Sequence, residues 1–284
     1  VDPKYVYEKL DTKNFKVIDC TVYFELKKVG ASTIHSGYED YLKRHIPGSA
    51  YLHLVDDLSE KDNPIPFSIV SQEKLNEKLS SIGINNEDEI IIYDNSPLLS
   101  SARAWFLLRY FGHKNILILN GGLKNWKKSG GETTVKKTII SKGNFVSKTE
   151  KKDLVINLED MISISNNNSK VILDARSYKR FIGEAKEPRP GLQSGHIPNS
   201  KSLPSSELLT NEGFLKSIEE LDIFFSNNDI DTSEDIIATC GSGVSACVIS
   251  VALYCLGKEN IPIYDGSWTE WATSGQKIQT GNST

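Results

Sequence analysis

The chain has 284 residues, which is long enough for two domains. Its composition, 38% hydrophobic and 25% charged, is that of a globular protein with a buried core. The formal net charge of −4 provides no overall positive field, which argues against nucleic acid or an acidic membrane surface as the partner.

Targeting signals and the cysteines define the expected compartment. The first ten residues lack the basic start and apolar run of a signal peptide, and the longest apolar stretch, 246–256, is too short to cross a bilayer. The four cysteines, at 20, 240, 247 and 255, match no common disulfide framework or zinc spacing. We therefore expect a cytoplasmic protein with free thiols.

Five short segments recur in the same order in the two halves of the chain, which indicates a duplicated module. The pairs are FKVIDC (15–20) with KVILDA (170–175), HIPGSAYL (45–52) with HIPNSKSL (196–203), DEIIIYDNS (88–96) with EDIIATCGS (234–242), RYFGHKNI (109–116) with YCLGKENI (254–261), and NGGLKNW (120–126) with DGSWTEW (265–271). The sequence predicts a first domain over 1–135, a polar, Lys-rich linker over 136–154 and a second domain over 155–284.

Within each copy, apolar strands alternate with helical patterns. In the first copy, EIIIYD (89–94) is a continuous apolar run typical of a buried parallel strand. SSARAWFLLRYFG (100–112) has the serine-rich start and glycine stop of a helix, and NILILN (115–120) is a second buried strand. The pattern predicts an α/β fold in which each domain is a parallel sheet flanked by helices.

In the second copy, the strand DIIAT (235–239) is followed by Cys240 and a loop that leads into a helix starting near Ala246. Gly241 and Gly243 let the backbone curl, so that its N–H groups and the helix N-terminus can stabilise a thiolate or an anionic persulfide. The loop hydroxyls, on Ser242 and Ser245, add donors. The sequence predicts that Cys240 is a nucleophile.

The alternative is a buried structural cysteine in a tight turn. The corresponding turn of the first copy argues against it, because Asp94 replaces the cysteine there and Pro97 and Leu98 fill the loop. A scaffold that keeps the turn without a thiol does not need the cysteine for folding. A cysteine phosphatase is disfavoured because its Cys-x5-Arg pattern would require arginine where Ala246 stands.

These HIP turns, the strand–Cys–loop–helix unit and the two tryptophan-containing ends resemble the rhodanese superfamily, specifically its two-domain sulfurtransferases. The resemblance runs from about Val17 to Trp271. It implies two tandem rhodanese-like domains, a silent first domain and a persulfide on Cys240. The loop, CGSGVS, is similar to the Cys-Gly-Ser-Gly-Val-Thr loop of 3-mercaptopyruvate sulfurtransferases, with Ser245 in place of threonine. The loop of thiosulfate sulfurtransferases instead reads Cys-Arg-Lys-Gly-Val-Thr.

The same resemblance implies that two arginines, Arg180 and Arg189, grip the carboxylate of the donor, a task that suits the guanidinium fork. The carboxylate of 3-mercaptopyruvate lies several bonds from the sulfur, whereas thiosulfate is a small dianion. The cation that binds 3-mercaptopyruvate is therefore expected to stand farther from the cysteine. Spacing alone favours a different interpretation, in which the two arginines pair with Glu184 and Glu187 on a solvated loop.

His45 begins a turn that His196 begins in the second copy, which favours a shared structural role. The resemblance also implies a second possibility, in which His45 joins Ser242 in handling protons. The other three cysteines, Cys20, Cys247 and Cys255, are expected to be core thiols.

Together, these features predict a sulfurtransferase that moves sulfur from 3-mercaptopyruvate to a thiol acceptor, such as a thioredoxin-like protein, or to cyanide. The loop residues expected to bind substrate are Gly241, Gly243, Val244 and Ser245. No metal or organic cofactor is implied. Two alternatives stay open: thiosulfate as the main donor, and a rhodanese-type binding module without catalysis, against which the intact Cys240 loop argues.

Overall fold

The first half of the chain builds one four-stranded sheet with its helices. The computed structural model describes residues 1–25, 33–148 and 150–282. The elements of this half are α1 (Pro3–Lys9), β1 (Phe15–Asp19), β2 (Val22–Glu25), β3 (Thr33–Ser36), α2 (Tyr38–Lys43), β4 (Ala50–Tyr51), α3 (Gln72–Ser81), β5 (Glu89–Tyr93), α4 (Leu99–Tyr110), β6 (Ile116–Ile118) and α5 (Gly122–Lys128).

The second half builds a five-stranded sheet. Its elements are β7 (Val155–Ile156), α6 (Leu158–Asn167), β8 (Val171–Asp174), α7 (Tyr178–Phe181), β9 (Ser200–Ser202), α8 (Ile218–Asn227), β10 (Ile236–Thr239), α9 (Ala246–Cys255), β11 (Ile263–Tyr264) and α10 (Ser267–Trp271), with short 3-10 helices at Lys152–Leu154 and Ser205–Leu208.

Both sheets are parallel and share one strand order. The first runs β4-β1-β5-β6, and the second runs β9-β8-β10-β11 with β7 added at the edge beside β11. Strands β2 and β3 form a separate antiparallel pair. The predicted α/β architecture, with two modules that each contain a parallel sheet and helices, is confirmed. Strand β5, which precedes the Asp94 loop, and strand β10, which precedes the Cys240 loop, are both inner strands of their sheets. Each loop therefore starts near the middle of the sheet edge.

One apolar cluster runs through both halves of the chain. It includes Leu107 of α4 and Val248 of α9, and these two helices pack against each other across the domain boundary. Every residue of α4 from Ser100 to Tyr110 is buried, as expected of a helix covered on all sides. Two smaller clusters each belong to one half only.

The predicted linker is docked on the first domain. The Gly143 N–H donates to the Ser80 carbonyl at 2.8 Å, the Val146 N–H donates to Asn86 Oδ1 at 2.8 Å, and the Phe145 side chain enters the shared apolar cluster. We propose keeping the boundaries 1–135, 136–154 and 155–284, with 136–154 acting as a strap rather than a free tether. Among the described residues, no helix has the length and apolar character needed to cross a membrane.

The strap can be tested with two adjacent residues. Phe145 is 3% exposed and Val146 is 59% exposed. We expect Phe145→Ala to lower the free energy of unfolding by about 3–5 kcal/mol, because a buried ring is lost, and Val146→Ala to change it by less than about 0.5 kcal/mol. Urea denaturation of both variants measures this, and equal small effects would contradict the docked strap.

Candidate active site

Cys240 follows the central strand β10 directly and faces a cavity between the two domains. Its side chain is 2% exposed, and the cavity has a volume of about 190 Å³. Twelve residues of both halves line it: Phe24, Ile34, Phe67, Leu99, Arg180, Pro188, Arg189, Cys240, Gly241, Ser242, Val244 and Ser245. Gly243 is the one predicted loop residue outside this lining. The space fits a small molecule of a few heavy atoms.

The loop after Cys240 keeps several backbone donors free. The N–H groups of Gly241, Ser242, Val244 and Ser245 have no acceptor among the described residues. Free amides that precede a helix stabilise negative charge, and α9 begins directly after Ser245. The loop can therefore hold an anionic sulfur.

Ser267, which the sequence analysis missed, anchors this loop. Its Oγ accepts the N–H of Cys240 at 3.3 Å and that of Gly243 at 3.0 Å, donates to the Tyr264 carbonyl at 2.7 Å, and lies 3.9 Å from the Cys240 Sγ. Gly243 adopts a left-handed conformation, φ +74°, that glycine favours. The tight curvature expected of this loop is thus maintained in part by Ser267, which lies 27 residues after Cys240 in the chain.

The backbone conformation of Ser267 makes it a candidate functional residue. Its φ is +48°, a left-handed conformation that costs a residue other than glycine free energy, and the matching residue of the first copy is Gly122, with φ +51°. The signal was present in the sequence, because DGSWTEW has serine where NGGLKNW has glycine. A serine kept in a glycine conformation indicates that its hydroxyl is needed.

The two predicted arginines lie beside the loop. Arg189 donates from Nη2 to Ser242 Oγ and from Nη1 to Thr269 Oγ1, both at 3.2 Å. Both guanidinium groups approach Gly241: a Cβ built there would lie 3.2 Å from Arg180 and 3.8 Å from Arg189. Burial lowers the pKa of Arg189, and the nearby Cys240 opposes that shift. Both arginines therefore line the cavity beside the Cys240 loop without being part of the loop sequence.

Arg180 is held by Glu187, as the alternative interpretation expected, but the pair is not solvated. The Glu187 side chain is fully buried and bonds both Arg180 and Arg176, and Arg176 is in turn paired with Asp174 at the end of β8. A chain of alternating charges in the interior satisfies each buried group. It fixes Arg180 at the cavity wall, while Arg189 pairs with no acidic side chain among the described residues.

The structure does not bring His45 to Cys240, so its predicted role in proton handling with Ser242 is corrected. The ring of His45 is buried, with Nδ1 2.7 Å from the Tyr41 carbonyl and Nε2 3.1 Å from the Lys136 carbonyl. His196 is placed in the same way, with Nδ1 2.8 Å from the Phe181 carbonyl. Since each ring packs on an aromatic side chain and bonds a backbone carbonyl, the shared structural role is the one observed.

The first domain contributes an apolar wall to the cavity. Phe24, Ile34, Phe67 and Leu99 carry no titratable group. Phe67 has φ +62°, a strained conformation for a bulky residue, which turns its carbonyl towards the domain boundary. Among the described lining residues, the ionisable groups are therefore Cys240 and the two arginines.

The other cysteines occupy different environments. Cys20 and Cys247 are buried as expected; burial raises the pKa of the Cys247 thiol to about 12 and that of Cys20 well above its usual value. Cys255 is exposed at the end of α9, so its assignment as a core thiol is wrong. Its chain neighbours, Tyr254 and Leu256, are partly buried against the apolar cluster, whereas Cys255 itself is exposed.

Asp94 fills the loop of the first copy with its own carboxylate. Its Oδ2 accepts from the Ser101 N–H at 2.8 Å and from Ser96 Oγ at 3.0 Å. Burial raises the pKa of Asp94 to about 7, although these hydrogen bonds act in the opposite direction. Two donors at this helix start are thus taken by the carboxylate that replaces the cysteine.

Comparisons with known proteins agree with this geometry. A family model described as "Rhodanese-like domain" matches residues 2–129 and 157–274. The chain is 33% identical to "Thiosulfate/3-mercaptopyruvate sulfurtransferase 1, mitochondrial" of Arabidopsis thaliana, over 96% of this chain and 76% of the relative. It is 35% identical to the thiosulfate sulfurtransferase of Gallus gallus, over 82% and 80%.

Among solved structures, the crystal structure of SseA from Escherichia coli, a 3-mercaptopyruvate sulfotransferase, superimposes with a TM-score of 0.82 and 31% identity, covering 94% of this chain and 98% of that one. Among the described residues, no group of His, Cys, Asp or Glu side chains is arranged to hold a metal ion.

Ser267→Ala tests the anchored loop. The variant leaves two buried amides without an acceptor, each at a cost of about 1–3 kcal/mol. We expect a loss of stability and, because the loop no longer supports a thiolate, alkylation of Cys240 by iodoacetamide at pH 7 that is roughly tenfold slower. The control is Ser250→Ala, another buried serine, whose Oγ donates to the Ile261 carbonyl away from the loop. Unchanged alkylation in Ser267→Ala would show that the anchor is dispensable.

Proposed function

The chain belongs to the rhodanese family, and from that premise we propose that it is a sulfurtransferase that carries sulfur as a persulfide on Cys240. One observation carries the proposal: a buried cysteine faces a cavity together with four backbone N–H groups that have no acceptor among the described residues. A structural cysteine does not need unpaired donors around it, whereas a thiolate and a persulfide both do. The intact loop also argues against a non-catalytic binding module.

In the first half-reaction, the Cys240 thiolate attacks the sulfur of 3-mercaptopyruvate. A bond forms between the Cys240 Sγ and the donor sulfur, and the carbon–sulfur bond of the donor breaks. Its electron pair leaves with carbon as the enolate of pyruvate, which takes up the proton that the mercapto group releases. Cys240 is left as a persulfide anion, which the free amides and Arg189 stabilise.

In the second half-reaction, an acceptor thiolate attacks the outer sulfur of the persulfide. The new bond joins the acceptor to that sulfur, the sulfur–sulfur bond on Cys240 breaks, and the enzyme thiolate returns. A thioredoxin-like protein or a small thiol would serve as the acceptor, and cyanide would serve as a laboratory substitute. Neither step requires a metal or an organic cofactor.

Arg180 and Arg189 are proposed to bind the donor carboxylate. Both reach Gly241 at the cavity wall, and Arg189 has no acidic partner among the described residues. The buried Glu187 holds Arg180 but uses its Nε and Nη2 groups, which leaves Nη1 for a substrate. Ser242, bonded to Arg189, is proposed to assist in orienting the donor rather than to work with His45.

Thiosulfate is the second candidate donor, and a specific observation favours it. Because Arg180 and Arg189 stand next to the loop, a small dianion would meet positive charge close to Cys240 even though the loop sequence has no cation. Relatives with both donor names match the chain.

The proposed cytoplasmic location rests on the sequence alone, and one of those relatives is named as mitochondrial.

Sulfur loading provides the first test of this function. We expect incubation with 3-mercaptopyruvate to add the mass of one sulfur atom to the peptide that contains Cys240, and Cys240→Ser to abolish both the mass gain and turnover. Cys255→Ser, which removes the exposed thiol, is the matched control and should load normally. Loading that persists in Cys240→Ser would refute the assignment of the nucleophile.

Donor preference provides the second test. We expect wild type to have a higher kcat/KM with 3-mercaptopyruvate than with thiosulfate. Losing a hydrogen bond to a charged group costs about 1.5–3 kcal/mol, so Arg189→Ala should weaken use of mercaptopyruvate roughly 10- to 150-fold, mostly in KM. Arg180→Ala should do the same while leaving Glu187 unpaired, and thiosulfate should lose less in both variants. Steady-state kinetics with both donors decides this, and a wild type that prefers thiosulfate would favour the second candidate.

A further inference from the structure

Arg103 belongs to the first domain but contacts three segments around the Cys240 cavity. It lies on α4 and is 1% exposed. Its Nη2 donates to the Phe67 carbonyl at 2.7 Å and to Asp265 Oδ1 at 2.8 Å, and its Nη1 donates to the Gly243 carbonyl at 3.2 Å. One side chain thus joins the apolar wall, the segment before Ser267 and the reactive loop.

A buried guanidinium is stable only when its charge and donors are matched. Asp265 supplies the negative charge that pairs with Arg103. Its second carboxylate oxygen accepts the Ile69 N–H at 3.3 Å, so Asp265 of the second domain binds two residues of the first. The Nη1 and Nη2 groups of Arg103 thus have acceptors, whereas its buried Nε has none among the described residues. Removing either partner would leave the other charge buried and unpaired.

The contact with Gly243 sets the direction of the next amide. The carbonyl and N–H of a trans peptide point in opposite directions, so a carbonyl held by Arg103 fixes where the Val244 N–H points. The same carbonyl also accepts from Cys247 Sγ at 3.2 Å. Val244 lines the cavity with Cys240, and its N–H has no acceptor among the described residues.

Building on the proposed function, we propose that Arg103 is a positioning residue for sulfur transfer, which holds the Gly243–Val244 peptide so that the Val244 N–H faces the sulfur of Cys240. The catalytically silent domain then contributes directly to the anion-binding loop, although none of its side chains touches the reacting atoms in this role. The arginine fork is needed because it must reach Asp265 and the Gly243 carbonyl together.

The test compares two arginines of the same helix. Arg109 also bridges the domains, since it lies over the rings of Trp105 and Tyr254 and donates to the Glu259 carbonyl, but it does not contact the loop. We expect Arg103→Met to move the midpoint of the iodoacetamide-alkylation curve of Cys240 upward by about one pH unit, that is, a roughly tenfold smaller thiolate fraction below the midpoint. We also expect kcat to fall about tenfold, with a smaller change in KM. Arg109→Met should lower stability while leaving both readouts near wild type.

Two further variants separate positioning from charge and from misfolding. In Arg103→Met/Asp265→Asn no unpaired carboxylate remains, and the upward shift should persist; a return to the wild-type curve would overturn the inference, because the cause would then be the orphaned Asp265. Arg103→Lys keeps the charge but cannot form the fork, so it should show much of the shift even where Arg103→Met does not fold. A wild-type alkylation curve in folded Arg103→Lys and Arg103→Met would also overturn it. Alkylation uses no sulfur donor, so this outcome is independent of whether the proposed reaction occurs.

Discussion

A negatively charged sulfur held between two domains requires hydrogen-bond donors that no other protein group uses. The rest of this structure is arranged around that requirement. A central parallel strand places Cys240 at the sheet edge, a helix begins six residues later, and four of the five amides in between have no acceptor among the described residues. The Ser267 hydroxyl accepts hydrogen bonds from the N–H groups of Cys240 and Gly243, and Arg189 adds a positive charge beside the loop.

The duplicated module shows how little must change for such a loop to become silent. In the first copy a carboxylate stands where the sulfur would be, and it takes up donors of its own loop. Glycine replaces the anchoring serine, and a Cβ at Gly122 would collide with the Asp94 carbonyl. The order of strand, turn and helix is preserved, whereas the position of the sulfur is taken by a carboxylate that binds two donors of the loop. The clearest difference between the two loops is therefore the group that stands at the end of the central strand, a carboxylate in one copy and a thiol in the other.

Local patterns in the sequence were sufficient for the fold and for the centre of the site. Buried strands, helix punctuation and the internal repeat predicted two parallel sheets, and glycine spacing singled out the Cys240 loop.

The features that were predicted wrongly or missed depend on contacts between distant segments. The placement of His45 follows from a bridge to Thr134 that fixes its ring among backbone carbonyls. The proximity of Arg180 to Gly241 follows from a buried charge network, and that of Arg189 from hydrogen bonds to Thr269 and Ser242. The proposed role of Arg103 depends on how one domain packs against the other, and no short sequence motif indicates that packing. Ser267 is the exception, because alignment of the two copies would have exposed it.

The apolar cluster that runs through α4 and α9 has a consequence for how the molecule unfolds. Two sheets with separate strand orders would ordinarily be two folding units joined by a hinge. Here neither half can expose its side of the cluster without exposing the other half's side as well, so we expect the two halves to unfold as one cooperative unit. Separating the halves to admit substrate would expose the apolar side chains of α4 and α9 to water, which costs free energy. An ancestral single module would have had to present this face to water or to a second copy of itself. Once the copies were fused, each became part of the other's interior.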